Sequence, residues 1–197
     1  MSQTHVTPVG EAIYPHLQKP DTKFNSNGEY KVTLKVKKSD ASEMLEIFKQ
    51  AEKDSLTKAI FENKGKQLKQ APSPYTEEGD FVMFKFKMTA TGVNRKTKEN
   101  FTQRPAIFDA KKNIIPVTQS IWGGSEMKIA YELIPYYMAS RGAGISVRLK
   151  QVQIVKLVEG GTAPAFTEED GFEINLNAEA VGEKNEEQTE VQESTNF

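Results

Sequence analysis

The chain has 197 residues, 37% of them hydrophobic and 27% charged, enough for one packed domain with a solvated segment attached. It contains no cysteine, which excludes a disulfide framework and thiolate chemistry. No apolar run approaches the ~20 residues needed to span a bilayer, and MSQTHVTPVGEAIY lacks the basic start and apolar stretch of a secretory signal, so a reducing cytoplasm is expected. The net charge of −1 hides a split. Residues 1–158 hold 25 Lys and Arg against 16 Asp and Glu, a balance of +9, whereas residues 159–197 hold 1 against 11, a balance of −10. A basic body with an acidic appendage points to a polyanionic partner and a tethered segment of that partner's sign.

The opening HVTPVGEAIY reads as a first strand, and KPDTKFNSNG as a loop of Pro, Asp, Asn and Gly. EYKVTLKVKK alternates: Tyr30, Val32, Leu34 and Val36 share one face, while Lys31, Thr33, Lys35 and Lys37 share the other. Met44, Leu45, Ile47, Phe48, Ala51, Leu56, Ala59 and Ile60 then recur at helical spacing. This predicts one amphipathic helix over residues 40–63, opened by a capping box of Asp40 with Glu43 and stopped by Gly65. QLKQAPSPYTEEG is a proline-rich loop. DFVMFKFKMTAT alternates again, with Val82, Phe84, Phe86 and Met88 opposite Met83, Lys85 and Lys87.

GVNRKTKEN is a basic turn, and FTQRPAIFDA is expected to return as a strand. NIIPVT, with Pro116, suggests an edge strand or a strand end. SIWGGS is a turn, and EMKIAYELIPYYM and AGISVRLKQVQIVKLV are two long strands joined at ASRG. Beyond Val158 the pattern stops, and a segment with few large apolar groups is expected to be largely disordered. The predicted organisation is therefore a domain over 1–158 and an acidic tail over 159–197. The order of elements predicts an all-β-dominated fold, an antiparallel barrel with one inserted helix, with a β-sandwich as the alternative.

Chemistry that requires clustered ligands or nucleophiles has no pattern here. Only His5 and His16 are present, and no P-loop or GxGxxG run occurs, so neither a metal, a cofactor nor an enzyme is expected. The positive pattern is basic residues interleaved with aromatics on strands. A single-strand binder needs cations to follow phosphates and rings to stack on bases. Lys31 and Lys35 share one strand face, Lys85 and Lys87 another, and Arg95, Lys96 and Lys98 crowd one turn. Outward lysines also serve as a solvated, edge-protecting face. Phe84 and Phe86 fall in the apolar row and read as core. Tyr136 and Tyr137 must point to opposite faces, and Trp122 reads equally as a loop anchor or a base platform.

Several segments, in order, resemble the single-stranded DNA-binding proteins of T7-like, short-tailed bacteriophages. They are KPD at 19–21, GEYKV at 28–32, FKFKM at 84–88, KTKE at 96–99, the GGS–MK–YELIPY stretch from Gly123 to Tyr136, GAGISVRLKQVQIVKLVE at 142–159, and the acidic end closing on Phe197. The resemblance implies an OB-fold barrel with a packed helix, a homodimer, and sequence-independent coating of single-stranded DNA. It implies roles in replication, recombination and strand annealing in the cytoplasm of the infected bacterial host. It also implies that the acidic tail contacts the phage DNA polymerase and helicase–primase. Tyr136 takes the position of a DNA-binding aromatic. Lys31, Lys35, Lys85, Lys87, Arg95, Lys96 and Lys98 are the basic candidates, and Glu186, Glu187, Glu190, Glu193 and Phe197 the partner-binding ones. Tyr137-Met138 departs from the Lys–Trp pair expected after the tyrosine.

A flexible chain of 39 residues has a root-mean-square span of about 34 Å, against a radius of gyration of about 15 Å for a 158-residue domain. The tail is thus long enough to compete with DNA for the basic face, and Phe197 would anchor it to an apolar pocket of a partner. A module of another class, binding RNA or an acidic protein partner, is the alternative reading.

Overall fold

Alternation of apolar and charged side chains sets the main strands, and their inward rows meet in one core. A computed structural model describes residues 3–94 and 96–160. In chain order these form β1 (Thr4–Val6), β2 (Gly10–Asp21), β3 (Glu29–Lys37), α1 (Lys38–Glu62), β4 (Tyr75–Glu78), β5 (Phe81–Thr89), β6 (Thr91–Val93), β7 (Asn100–Thr102), β8 (Ala106–Phe108), β9 (Glu126–Met138) and β10 (Gly142–Lys156). Five strands close a ring, β9–β2–β3–β5–β10 and back to β9. β1 extends it on β9, β8 on β10 and β4 on β5, while β6 and β7 form a separate hairpin.

The antiparallel expectation holds for four of the ring's five junctions. The fifth, β5 with β10, is parallel through Lys87 and Arg148. A ring with an odd number of strands cannot alternate direction all the way round, so one parallel junction is required.

The core is filled by the rows the alternation picks out: Val32, Leu34 and Val36 from β3, Val82, Phe84 and Phe86 from β5, and Ile129 and Tyr131 from β9. α1 covers one side of the ring. Its buried face runs Ala41, Met44, Leu45, Phe48, Glu52, Ser55 and Ala59, spaced by three or four residues apart from the adjacent Met44 and Leu45. Phe48 is fully buried, with ring centroids 5.2 Å from Phe84 and 5.6 Å from Tyr131, and it ties helix to ring. Burial also pushes the Tyr131 hydroxyl far above its ordinary pKa. Ser55, also buried, donates to the Gly144 carbonyl at 2.7 Å and pins the helix to β10.

Some boundaries differ from those the sequence suggests. β3 runs straight into α1 at Lys38, and no side chain caps the helix. The Lys38 N–H instead donates to the Asp80 carbonyl at 2.9 Å, so the Asp40–Glu43 box is not used. The first expected strand is two, β1 and β2, and β2 continues through the KPD segment to Asp21. The proline-rich loop contains β4, which pairs with β5. FTQRPAIFDA divides between β7 and β8. NIIPVT is not a strand: Ile114 makes only an isolated bridge with Phe108, because Pro116 lacks the donor needed to extend a ladder.

Phe48→Ala is expected to lower unfolding free energy by ~3–5 kcal/mol, since it empties a fully buried ring site. Phe61→Ala, on the same helix but 85% exposed, is expected to change it by less than ~0.5 kcal/mol. Urea denaturation of the two variants measures both.

Candidate nucleic-acid interface

The outward faces of the ring strands carry the charge. β3 and β5 pair in strict register, with Lys31 opposite Lys87 and Thr33 opposite Lys85. The register continues on either side: His16 of β2 pairs with Lys31, and Arg148 of β10 pairs with Lys87. His16, Lys31, Lys87 and Arg148 thus form one transverse row across four adjacent strands. Like charges directly opposite each other destabilise a sheet, so this row is offset locally by carboxylates at its margins. Lys31 pairs with Asp21, Lys87 with Glu29 at 3.5 Å, and Arg148 with Glu132 at 3.6 Å. The Asp21 carboxyl is held below the usual carboxylate range, chiefly by its hydrogen bond from the Lys31 ammonium and then by the Lys23 backbone N–H. Lys85, in the next row, has no ion-pair partner among the described residues.

Two concave surfaces adjoin on this face and share Lys85 and Lys87. One is lined by Tyr14, His16, Glu29, Lys31 and Thr33. The other is lined by Pro72, Pro74, Tyr136, Met138, Arg141 and Ser146. Tyr136 stands at the far end, half-buried and directly opposite Gly144 on β10. A Cβ at Gly144 would come within 2.8 Å of the Ala71 Cβ and 3.3 Å of the Tyr136 hydroxyl, so the glycine leaves room for both against the strand. Ser55 beneath binds the Gly144 carbonyl, so the helix supports this end of the groove. The two surfaces form an open groove centred on Lys85 and Lys87, with the Tyr136 ring lining one part of it. Such a surface suits a flexible polyanion with stackable faces.

The sequence candidates divide in space. Lys31, Lys85, Lys87 and Tyr136 converge on the groove. Lys35 shares the outward face of β3 but lies outside the groove lining. It is held by Glu11 at 3.2 Å and sits 4.6 Å over the Phe81 ring. Lys96 and Lys98 occupy the β6–β7 hairpin turn, where Asn94 accepts from the Lys96 N–H and Lys98 adopts φ 62°. That hairpin springs from the β5 end nearest Lys87. Arg95, Glu186, Glu187, Glu190, Glu193 and Phe197 lie outside the described residues.

Phe84 and Phe86 are core. The Trp122 backbone N–H donates to the Val158 carbonyl at 3.2 Å and Gly160 lies against its indole, although the side chain is exposed. Among the described residues no group of His, Asp and Glu could hold a metal ion, and no helix is long and apolar enough to cross a membrane.

Sequence reading missed Tyr14, His16, Arg141 and Arg148. Arg148 was within reach, since Ile145, Val147 and Leu149 alternate with Ser146 and Arg148. His16 and Tyr14 were not, because a bulge between Ile13 and His16 breaks the parity of β2.

A family model described as "Single-stranded DNA-binding protein, Bacteriophage T7" matches residues 9–159. The single-stranded DNA-binding protein of Enterobacteria phage T3 is 30% identical over 169 residues, covering 75% of this chain and 73% of that protein. That of Escherichia phage T7 is 28% identical over 199 residues, covering 88% and 86%. The crystal structure of gp2.5, the single-stranded DNA binding protein of bacteriophage T7, superposes with a TM-score of 0.74 at 25% identity, covering 89% of this chain and 100% of that one. The protein of bacteriophage Enc34 in complex with single-stranded DNA shares the fold, with a TM-score of 0.58 at 16% identity over 79% and 88% of the chains. With the family model spanning most of its length, this chain belongs to the family of bacteriophage T7 single-stranded DNA-binding proteins.

Proposed function

We propose that this chain is an OB-fold protein that binds single-stranded DNA without regard to sequence, and that it does so in phage replication, recombination and strand annealing. The observation that carries this is the register-locked row His16, Lys31, Lys87 and Arg148 beside Lys85, continuous with a groove holding Tyr136. The cations are spaced across strands at about 4.8 Å, which lets a flexible backbone lay successive phosphates along them. Lys85 and Arg141 contribute without first giving up a carboxylate, since neither has an ion-pair partner among the described residues. Tyr136 supplies a sequence-tolerant stacking face worth about 1–3 kcal/mol per base. The protein is a binding protein rather than an enzyme, acts in the cytoplasm of the infected host, and works as a homodimer.

Residues 1–158 form the DNA-binding domain and residues 159–197 an acidic regulatory segment. With 11 carboxylates against one lysine, that segment mimics the ligand's charge and competes with it. DNA binding frees it to meet the phage DNA polymerase and helicase–primase, where Phe197 fills an apolar pocket and Glu186, Glu187, Glu190 and Glu193 meet basic groups.

Titrating oligo-dT, oligo-rU and duplex across a salt series tests the reading. Contacts to about five phosphates give a log–log slope near −3.5 for single strands. A flat salt response, or a preference for duplex or RNA, would favour an acidic-protein or RNA partner instead. Lys85→Ala is expected to lower affinity and shallow that slope by about 0.7. Tyr136→Ala is expected to lower affinity about 5- to 150-fold with the slope unchanged, because it removes stacking rather than a counterion-releasing contact.

Deleting residues 183–197 is expected to tighten oligo-dT binding and to abolish capture of the polymerase. Wild-type behaviour in both assays would refute the tail's role.

A further inference from the structure

Tyr14 is the most anomalous large side chain of the ring. It lies within a strand, yet it is 83% exposed. Its φ is +48°, a left-handed conformation that costs an aromatic L-residue energy. Pro15 follows it, and proline further restricts the backbone of the residue before it. The bulge between Ile13 and His16 is where this conformation is accommodated. The Tyr14 ring makes none of the buried aromatic contacts that Phe48, Phe84 and Tyr131 make. Strain held against propensity on an exposed ring is a mark of functional placement.

Its location says which function. Tyr14 lines the end of the cationic groove opposite Tyr136, beside His16 and Lys31, and the two halves of that groove meet at Lys85 and Lys87. We propose that Tyr14 is a second base-stacking platform, held open by the β2 bulge, and that a bound strand runs from Tyr14 over Lys85 and Lys87 to Tyr136. This rests on the single-stranded DNA reading above and adds to it a named contact and a path. The strand crosses β2, β3, β5 and β10, about 14–19 Å at the spacing of neighbouring strands. At 3.4 Å per stacked nucleotide, about four to six nucleotides lie between the rings.

The test uses the full chain with Tyr14→Gly, Tyr14→Ala and Tyr14→Trp. Glycine adopts positive φ freely, so Tyr14→Gly relieves the backbone while deleting the platform. The expected result is a Tm equal to or above that of the wild type, with oligo-dT affinity reduced about 5- to 150-fold and the salt slope unchanged. Tyr14→Trp retains affinity. In a Trp122→Phe background it carries the chain's sole indole, and its fluorescence is quenched by oligo-dT. Wild-type affinity in both Tyr14→Gly and Tyr14→Ala would overturn the inference while leaving the DNA-binding reading intact. So would a change in oligomeric state without a change in affinity. If the wild-type chain itself ignored oligo-dT, both would fall together.

Discussion

Two lysines, Lys31 and Lys87, face each other directly across paired strands, and the architecture of the binding face follows from that repulsion being tolerated. Alone, such a pair destabilises a sheet. Here Asp21, at the end of β2, and Glu29, at the start of β3, pair with these lysines. Glu132 does the same for Arg148 and also reaches Lys150 at 3.4 Å. These pairs are partly exposed and contribute little to stability in water. In the proposed reading, the row is balanced loosely enough to exchange its carboxylates for phosphates.

The ring supplies the rigidity this balance needs. Closure of five strands removes the freedom to slip register, because a one-residue shift would turn every lysine inward and every apolar side chain out. The parallel junction at Lys87 and Arg148 extends the basic row onto a fourth strand. α1 fills the core through Phe48 and reaches the groove's far end through Ser55, which holds β10 at the residue facing Tyr136. Helix packing and the wall of the groove are thus connected by one buried hydroxyl.

Much of this was legible in the sequence. Period-two alternation placed Lys31, Lys85 and Lys87 outward and Phe84 and Phe86 inward, and helical spacing identified the buried face of α1, including Phe48. What was illegible depends on partners distant in the chain. No local pattern shows that residue 16 pairs with residue 31, or that residue 87 lies beside residue 148. The capping box at Asp40 was a sound local signal, overridden by a carbonyl at Asp80. Tyr14 was hidden for the opposite reason: its conformation breaks the very periodicity by which strand faces are read. Lys35 shows the limit of parity, since it shares a face with Lys31 yet is occupied by Glu11 and Phe81.

The central claim is that the opposed lysines are kept for binding and not for folding. Lys31→Met combined with Lys87→Met tests it most directly, with unfolding free energy and oligo-dT affinity measured on the same preparation. The account predicts little change in stability, because relief of the like-charge pair offsets loss of the partly exposed ion pairs to Asp21 and Glu29, together with at least about a tenfold loss of affinity. Unchanged affinity, or a fall in stability that parallels the loss of binding, would contradict it.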